Sequence, residues 1–270
     1  MISPLRLLAV FAHPDDESMG VGGTLAKYAA EGVGTYLVCA TRGERGWFGP
    51  EGQNPGFAGL AKTRTHELHC AGAKLGLRAI HFLDYTDGDL DRADQAEAVG
   101  KIVSHIRSLK PHVIVTFLHD GDYGHPDHIA ISQLTSAAIV CAADSSYRDP
   151  LSLPSHRVSK LYYQVDSQAF ANLIMPHVGE ISFQVDDQLR GETPWKEWMI
   201  TTRIDVSNHW KTGWDAILCH QSQLPSIGPL TKLPQQDIRQ ILTLRGTFYR
   251  VFSLVNGGRQ VETDLFEGLR

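Results

Sequence analysis

The run Leu7-Leu8-Ala9-Val10-Phe11-Ala12 stops at His13-Pro14-Asp15-Asp16-Glu17, and the pattern recurs where Val113-Ile114-Val115-Thr116-Phe117 leads towards His125-Pro126-Asp127-His128. Short β-rich apolar runs closed by turn residues read as buried strands. Open α/β sheets place their active sites just past the C-terminal ends of such strands. Strands are expected over 5–12, 35–40, 79–83 and 112–117, and helices over 22–31, 62–75, 93–109 and 127–143. Leu25, Ala26 and Ala29 share one side of the first helix, and Leu68, Ala71 and Leu75 repeat at helical spacing in the second. This alternation predicts an α/β fold, a Rossmann-like doubly wound and mostly parallel sheet with helices on both faces. With strand order 3-2-1-4-5, the first and fourth strands are neighbours, and the two polar clusters face each other across the topological switch point.

Beyond residue 144 the pattern loosens. Short strands are expected near 161–165, 181–185 and 202–206, helices over 210–220 and 235–242, and a final strand over 247–254. Residues 147–156 alone resemble a linker, so the chain reads as one domain, 1–270, with a core over 1–165 and a C-terminal elaboration over 166–270. The stretch 41–59, rich in Gly, Pro and Asn and carrying Trp47 and Phe48, is a long loop of the kind that is usually functional.

A net charge of −5 with 13 histidines and no Lys/Arg run argues against nucleic acid as a partner. No apolar segment is long enough to span a bilayer, and the first apolar run ends in His-Pro-Asp-Asp rather than a small-residue cleavage site. Cys39, Cys70, Cys141 and Cys219 are scattered without a C-x-x-C pair. Reduced thiols in a cytoplasmic protein are therefore expected.

The polar clusters have metal-ligand chemistry. A catalytic zinc takes three protein ligands from His and Asp/Glu and keeps a position open. His13 and Asp16 lie within one turn, and His125 and His128 are spaced i, i+3 on a helix that Pro126 and Asp127 would start. Two ligands from the first cluster and one from the second make a His-Asp-His site, with Asp15 and His125 flanking the open position as acid/base candidates. Alone, Asp-Asp-Glu after a strand reads as a helix cap and either histidine as a loop residue. Together, behind two strands, they point to a metal-dependent hydrolase. Gly20-Val21-Gly22-Gly23 departs from G-x-G-x-x-G and follows an acidic turn that would repel a pyrophosphate, which sets a nucleotide cofactor aside.

The two clusters resemble the signature motifs of the PIG-L/LmbE-like family of zinc-dependent N-deacetylases. Thr41-Arg42-Gly43-Glu44-Arg45-Gly46, Arg64 with Glu67, Asp87-Gly88, Tyr123-Gly124 and, more weakly, His220-Gln221-Ser222-Gln223 resemble further family segments. The resemblance implies zinc held by His13, Asp16 and His128, although iron also suits such sites. It implies Asp15 as general base, His125 as the imidazolium that stabilises the oxyanion or protonates the leaving amine, and Asp127 as the partner that orients His125. It adds Tyr123 as an oxyanion donor, and Arg64 and Asp87 as substrate contacts. The implied substrate is a small N-acetylated amino sugar of the N-acetylglucosamine type. The alternatives are a larger acyl or thiol conjugate, or a catalytically silent metal- or sugar-binding protein. Members often form oligomers, so a homo-oligomer is an expectation without a subunit number.

Overall fold

The computed structural model describes residues 4–149, 151–179, 182–185, 187–258 and 260–270. The first half alternates as β1 (Arg6–Phe11), α1 (Asp16–Ala30), β2 (Gly34–Thr41), α2 (Gly56–Leu75), β3 (Ala79–Tyr85), α3 (Gln95–Leu109) and β4 (Val113–Phe117). The one-turn α4 (Gly121–Gly124) and the long α5 (Pro126–Ala143) follow. Next come β5 (Lys160–Gln164), α6 (Gln168–Val178), β6 (Ser182–Val185), β7 (Gln188–Gly191), β8 (Thr202–Arg203), α7 (Trp210–Ile217), α8 (Gln235–Thr243) and β9 (Thr247–Ser253). Seven strands form one sheet in the order β3-β2-β1-β4-β5-β9-β8. The expected 3-2-1-4-5 order is present, with β1 parallel to both β2 and β4 and Leu7 opposite Val113. The later chain adds β9 antiparallel to β5, and β8 antiparallel to β9.

β1 and β4 are apolar because both sheet faces are covered, and Leu7 to Ala12 and Val113 to Phe117 are all buried; the one hydroxyl among them, on Thr116, bonds Val10 O. Two helices start earlier than the apolar periodicity suggests. The first turn of α1 holds Asp16 and Glu17, whose charge suits a helix N-terminus, so α1 begins at Asp16 rather than 22. α2 begins at Gly56, shortening the long loop, in which Phe48 is exposed and Trp47 Nε1 donates to Pro50 O. The strand expected near 181–185 is β6, which pairs with β7 as a separate hairpin; residue 181 lies outside the described residues.

α7 crosses α1 backbone to backbone. A Cβ on Gly213 would stand 3.0 Å from Gly23 N, and one on Gly22 would stand 3.3 Å from Gly213 Cα. Gly22 and Gly23 therefore serve helix packing. The thiol expectation needs correction at one pair: α2 and the end of α7 bring Cys70 and Cys219 to a Cα separation of 5.8 Å, and they form a disulfide. Cys39 and Cys141 are free. Among the described residues, no helix is long and apolar enough to cross a membrane.

Candidate active site

The ends of β1 and β4 carry their histidines into one buried cluster. Phe117 stacks on His128 with centroids 3.9 Å apart, so the core holds that imidazole flat against the sheet end. His13 Nδ1 lies 3.1 Å from His128 Nε2. Each nitrogen also lies 3.6 Å from an Asp16 carboxylate oxygen, Oδ2 for His13 and Oδ1 for His128. Ligands on a tetrahedral ion with bonds of about 2 Å stand roughly 3.3 Å apart, so the two imidazole nitrogens have the spacing of a shared metal, while Asp16 meets them through different carboxylate oxygens. His125 offers an alternative third group, because His13, His125 and His128 each bring a ligand atom within 4.8 Å of the others.

The other edge of His13 faces carboxylates. His13 Nε2 lies 3.1 Å from Asp127 Oδ2 and 3.1 Å from Asp87 Oδ1. Burial disfavours the His13 imidazolium, but Asp127 and Asp87 outweigh it and hold the pKa well above the usual value. Burial pushes Asp16 up to about 7, with His13 opposing and Asp15 adding to the rise. Imidazoles and carboxylates crowded this closely are the donor set of a cation site.

Asp15 stands apart from this triangle. Its backbone sits at φ 130 and ψ −27, a conformation worth about 1–3 kcal/mol of strain for a residue with a side chain. Arg64, 3% exposed, braces it: Nη2 lies 3.1 Å from Asp15 Oδ1 and donates to Pro14 O at 2.5 Å, while Nη1 donates to Gly43 O at 2.9 Å. Gly43, at φ 64, lets the chain pass against this guanidinium. Both Nη atoms of Arg64 thus bond the protein rather than lying open to a substrate, and neither Glu67 nor Glu44 is its ion partner. Burial raises the Asp15 pKa, and Arg64 opposes the rise.

A model of the PIG-L family, described as GlcNAc-PI de-N-acetylase, matches residues 8–139. The chain is 34% identical to the 1D-myo-inositol 2-acetamido-2-deoxy-alpha-D-glucopyranoside deacetylase of Streptomyces avermitilis over 98% of this chain and 97% of that one. The chain belongs to the PIG-L family. Its fold is also that of a conserved protein from Thermus thermophilus (TM-score 0.64, 25% identity, 94% of this chain and 97% of that one). The N,N'-diacetylchitobiose deacetylase from Pyrococcus horikoshii shares the fold as well (TM-score 0.67, 19% identity, 91% and 83%). This PIG-L chain is accordingly an amide-hydrolysing deacetylase.

Two expectations for the PIG-L motifs change on contact with the geometry. The Asp127 carboxylate does not orient His125. It faces His13 and accepts the N–H groups of Gly88 (2.7 Å) and Leu90 (3.0 Å), while His125 caps α5 by accepting the Asp127 backbone N–H on Nδ1 at 3.1 Å. An Nδ1 that accepts leaves Nε2 as the protonated, donating nitrogen of a neutral ring. Burial, and after it the charge on His13, pulls the His125 pKa down to about 4. Asp87 is committed too: Oδ2 accepts the Arg45 N–H at 3.0 Å while Oδ1 faces His13. Tyr123 packs edge-on to His128 at 5.2 Å and to His125 at 6.0 Å, beside a loop in which Asp122 sits at φ 66.

One pair escaped the sequence reading as functional. Glu17 and His220 are both 0% exposed and bond at 2.9 Å, although 203 residues separate them. The PIG-L match ends before His220. The signals available in the sequence were the Glu closing the first cluster and the weak 220–223 likeness.

Proposed function

We propose that this chain is a zinc-dependent deacetylase that removes the acetyl group from an N-acetylated amino sugar, a glucosaminyl-inositol of the kind named for its relatives. The observation that carries the reading is Asp15: a half-buried carboxylate braced by Arg64 beside, and outside, the His13–Asp16–His128 triangle. In this reading those three residues hold the metal. When bound, zinc polarises the amide carbonyl and acidifies a water. Asp15 receives the water's proton as the amide is attacked and passes it to the nitrogen as the C–N bond breaks, so that the amine leaves and acetate is released. His125, with Nδ1 occupied by the Asp127 N–H, directs its Nε2–H at the oxyanion, and Tyr123 joins it from the same loop. Asp127 and Asp87 fix the ring of His13, and Arg64 fixes Asp15, so the three act as positioning residues for the ligand and the base. The glucosaminyl-inositol assignment draws on the 34% identity spread over nearly both whole chains. Because Glu17 and Glu67 take partners from beyond residue 219, we read 1–270 as one domain.

The test is free-amine and acetate release from 1D-myo-inositol 2-acetamido-2-deoxy-alpha-D-glucopyranoside, N-acetylglucosamine and N,N'-diacetylchitobiose, before and after chelation and after zinc is restored. Zinc-restored turnover, fastest on the inositol conjugate, supports the reading. Absence of release from every N-acetyl sugar ends it, and equal release from all three ends the inositol assignment.

A further inference from the structure

Glu17 divides its two oxygens between opposite tasks. Oε1 accepts from His220 Nε2 at 2.9 Å and from the Ser18 hydroxyl at 2.5 Å, while Oε2 accepts the backbone N–H of Asp15 at 3.1 Å. Arg64 holds the Asp15 side chain and the carbonyl before it. The Asp15 N–H, at the rarely adopted φ of 130, is held by Glu17.

The segment behind His220 reinforces this attachment from two further directions. Ser222 donates its N–H and hydroxyl to Glu67 on α2 at 2.8 and 2.7 Å, and Gln223 Nε2 donates to Gly46 O at 2.9 Å. Residues 220–223 therefore bond at once to α1, to α2 and to the loop after β2. These are the three pieces that carry Glu17, Arg64 and Gly43.

We propose that His220 is a positioning residue for deacetylation: through Glu17 it holds the strained Asp15 peptide, and with it the Asp15 carboxylate, in the orientation that takes the proton. The inference rests on Asp15 being the base. A fully buried carboxylate that loses its ionic partner turns towards other donors or draws in water. Glu17 then releases the Asp15 N–H, the peptide relaxes from its unusual φ, and the carboxylate beyond it shifts. Displacements near 1 Å in a reacting group cost on the order of 10²-fold in rate.

The test compares the zinc-loaded enzyme with His220→Ala and His220→Gln, measuring kcat, KM, zinc content and hydrogen exchange at the Asp15 amide. For His220→Ala, kcat should fall about 10- to 100-fold with KM within roughly threefold. Zinc content should hold, and the Asp15 amide should exchange at least about tenfold faster. His220→Gln, whose amide can still donate to Glu17, should recover most of both. Unchanged kcat with a still-protected Asp15 amide overturns the proposal. So does a uniform rise in exchange across β1 and α1 in both variants, which marks a packing role only. If the unsubstituted enzyme releases no acetate, the proposed function fails, and exchange at the Asp15 amide alone decides the positioning role.

Discussion

His125 and Asp127 are joined through the Asp127 backbone, with the N–H bonded to His125 Nδ1 at 3.1 Å, while the Asp127 carboxylate turns away to His13. One residue thus sets the tautomer of the candidate acid with its amide and the ring plane of a candidate ligand with its side chain. His125→Ala should keep zinc and lower kcat about 10²- to 10³-fold, because a donor to the oxyanion is lost. Metal analysis decides whether Asp16 or His125 joins His13 and His128 on the metal. If His125→Ala sheds zinc as readily as His128→Ala, His125 is a ligand and Asp16 is not required as one.

Asp15→Asn should retain zinc and lose turnover by ~10²–10⁴, the range of a general base. The amide matches the carboxylate in shape but cannot take a proton. Equal loss of zinc in Asp15→Asn and Asp16→Asn would erase the division between them.

Arg64→Ala should destabilise the protein by about 2–4 kcal/mol, since it leaves the half-buried Asp15 carboxylate and two carbonyls without their donor. Arg64→Lys should recover little, because an ammonium cannot reach Gly43 O and Pro14 O with the same fork. Urea denaturation checks both, and full stability in Arg64→Lys would show that charge alone suffices.

Unfolded without reductant, the protein should expose two reactive thiols per chain, Cys39 and Cys141, and two more after reduction. Cys70→Ser should cost roughly 2–5 kcal/mol, because the closed loop spans 149 positions. Four reactive thiols before reduction would remove the cross-link.

His81 on β3 and His105 on α3 lie with ring centroids 4.7 Å apart at a 39° tilt, and burial lowers both, His105 to about 4. Both folded values lie below the unfolded value of about 6.5, so the unfolded chain binds more protons as pH falls. Their contribution is complete above about pH 6.5 and declines from there towards pH 4. Between pH 7 and pH 5, His105→Leu should remove about 1–2 kcal/mol of the stability lost by the parent, read from urea midpoints. An unaltered slope would place the acid sensitivity elsewhere.

Much of the fold and the site is legible in the chain itself. Apolar runs at 7–12 and 113–117, each leading to a His-Pro-Asp, specify two strands and their polar ends, and parallel topology then makes them neighbours. The start of α1 is not, because Asp16 and Glu17 bury against His13 and His220 rather than through apolar periodicity. Asp127 is assigned to the wrong histidine because sequence adjacency cannot say which way a carboxylate at a helix start turns. β9, β8 and the Cys70–Cys219 pair depend on a return of the chain that local pattern does not encode.

The crossing of Gly22 and Gly23 by Gly213 carries a consequence for how the enzyme comes into being. A growing chain that has just completed α5 already contains His13, Asp15, Asp16, His125 and His128. It lacks the helix that closes against α1 and the histidine that reaches Glu17. Contacts between such distant segments form late, since loop closure must precede their reward. During synthesis the reactive groups therefore exist without their alignment while the chain grows from residue 128 towards 220, and competence arrives only with α7 and His220.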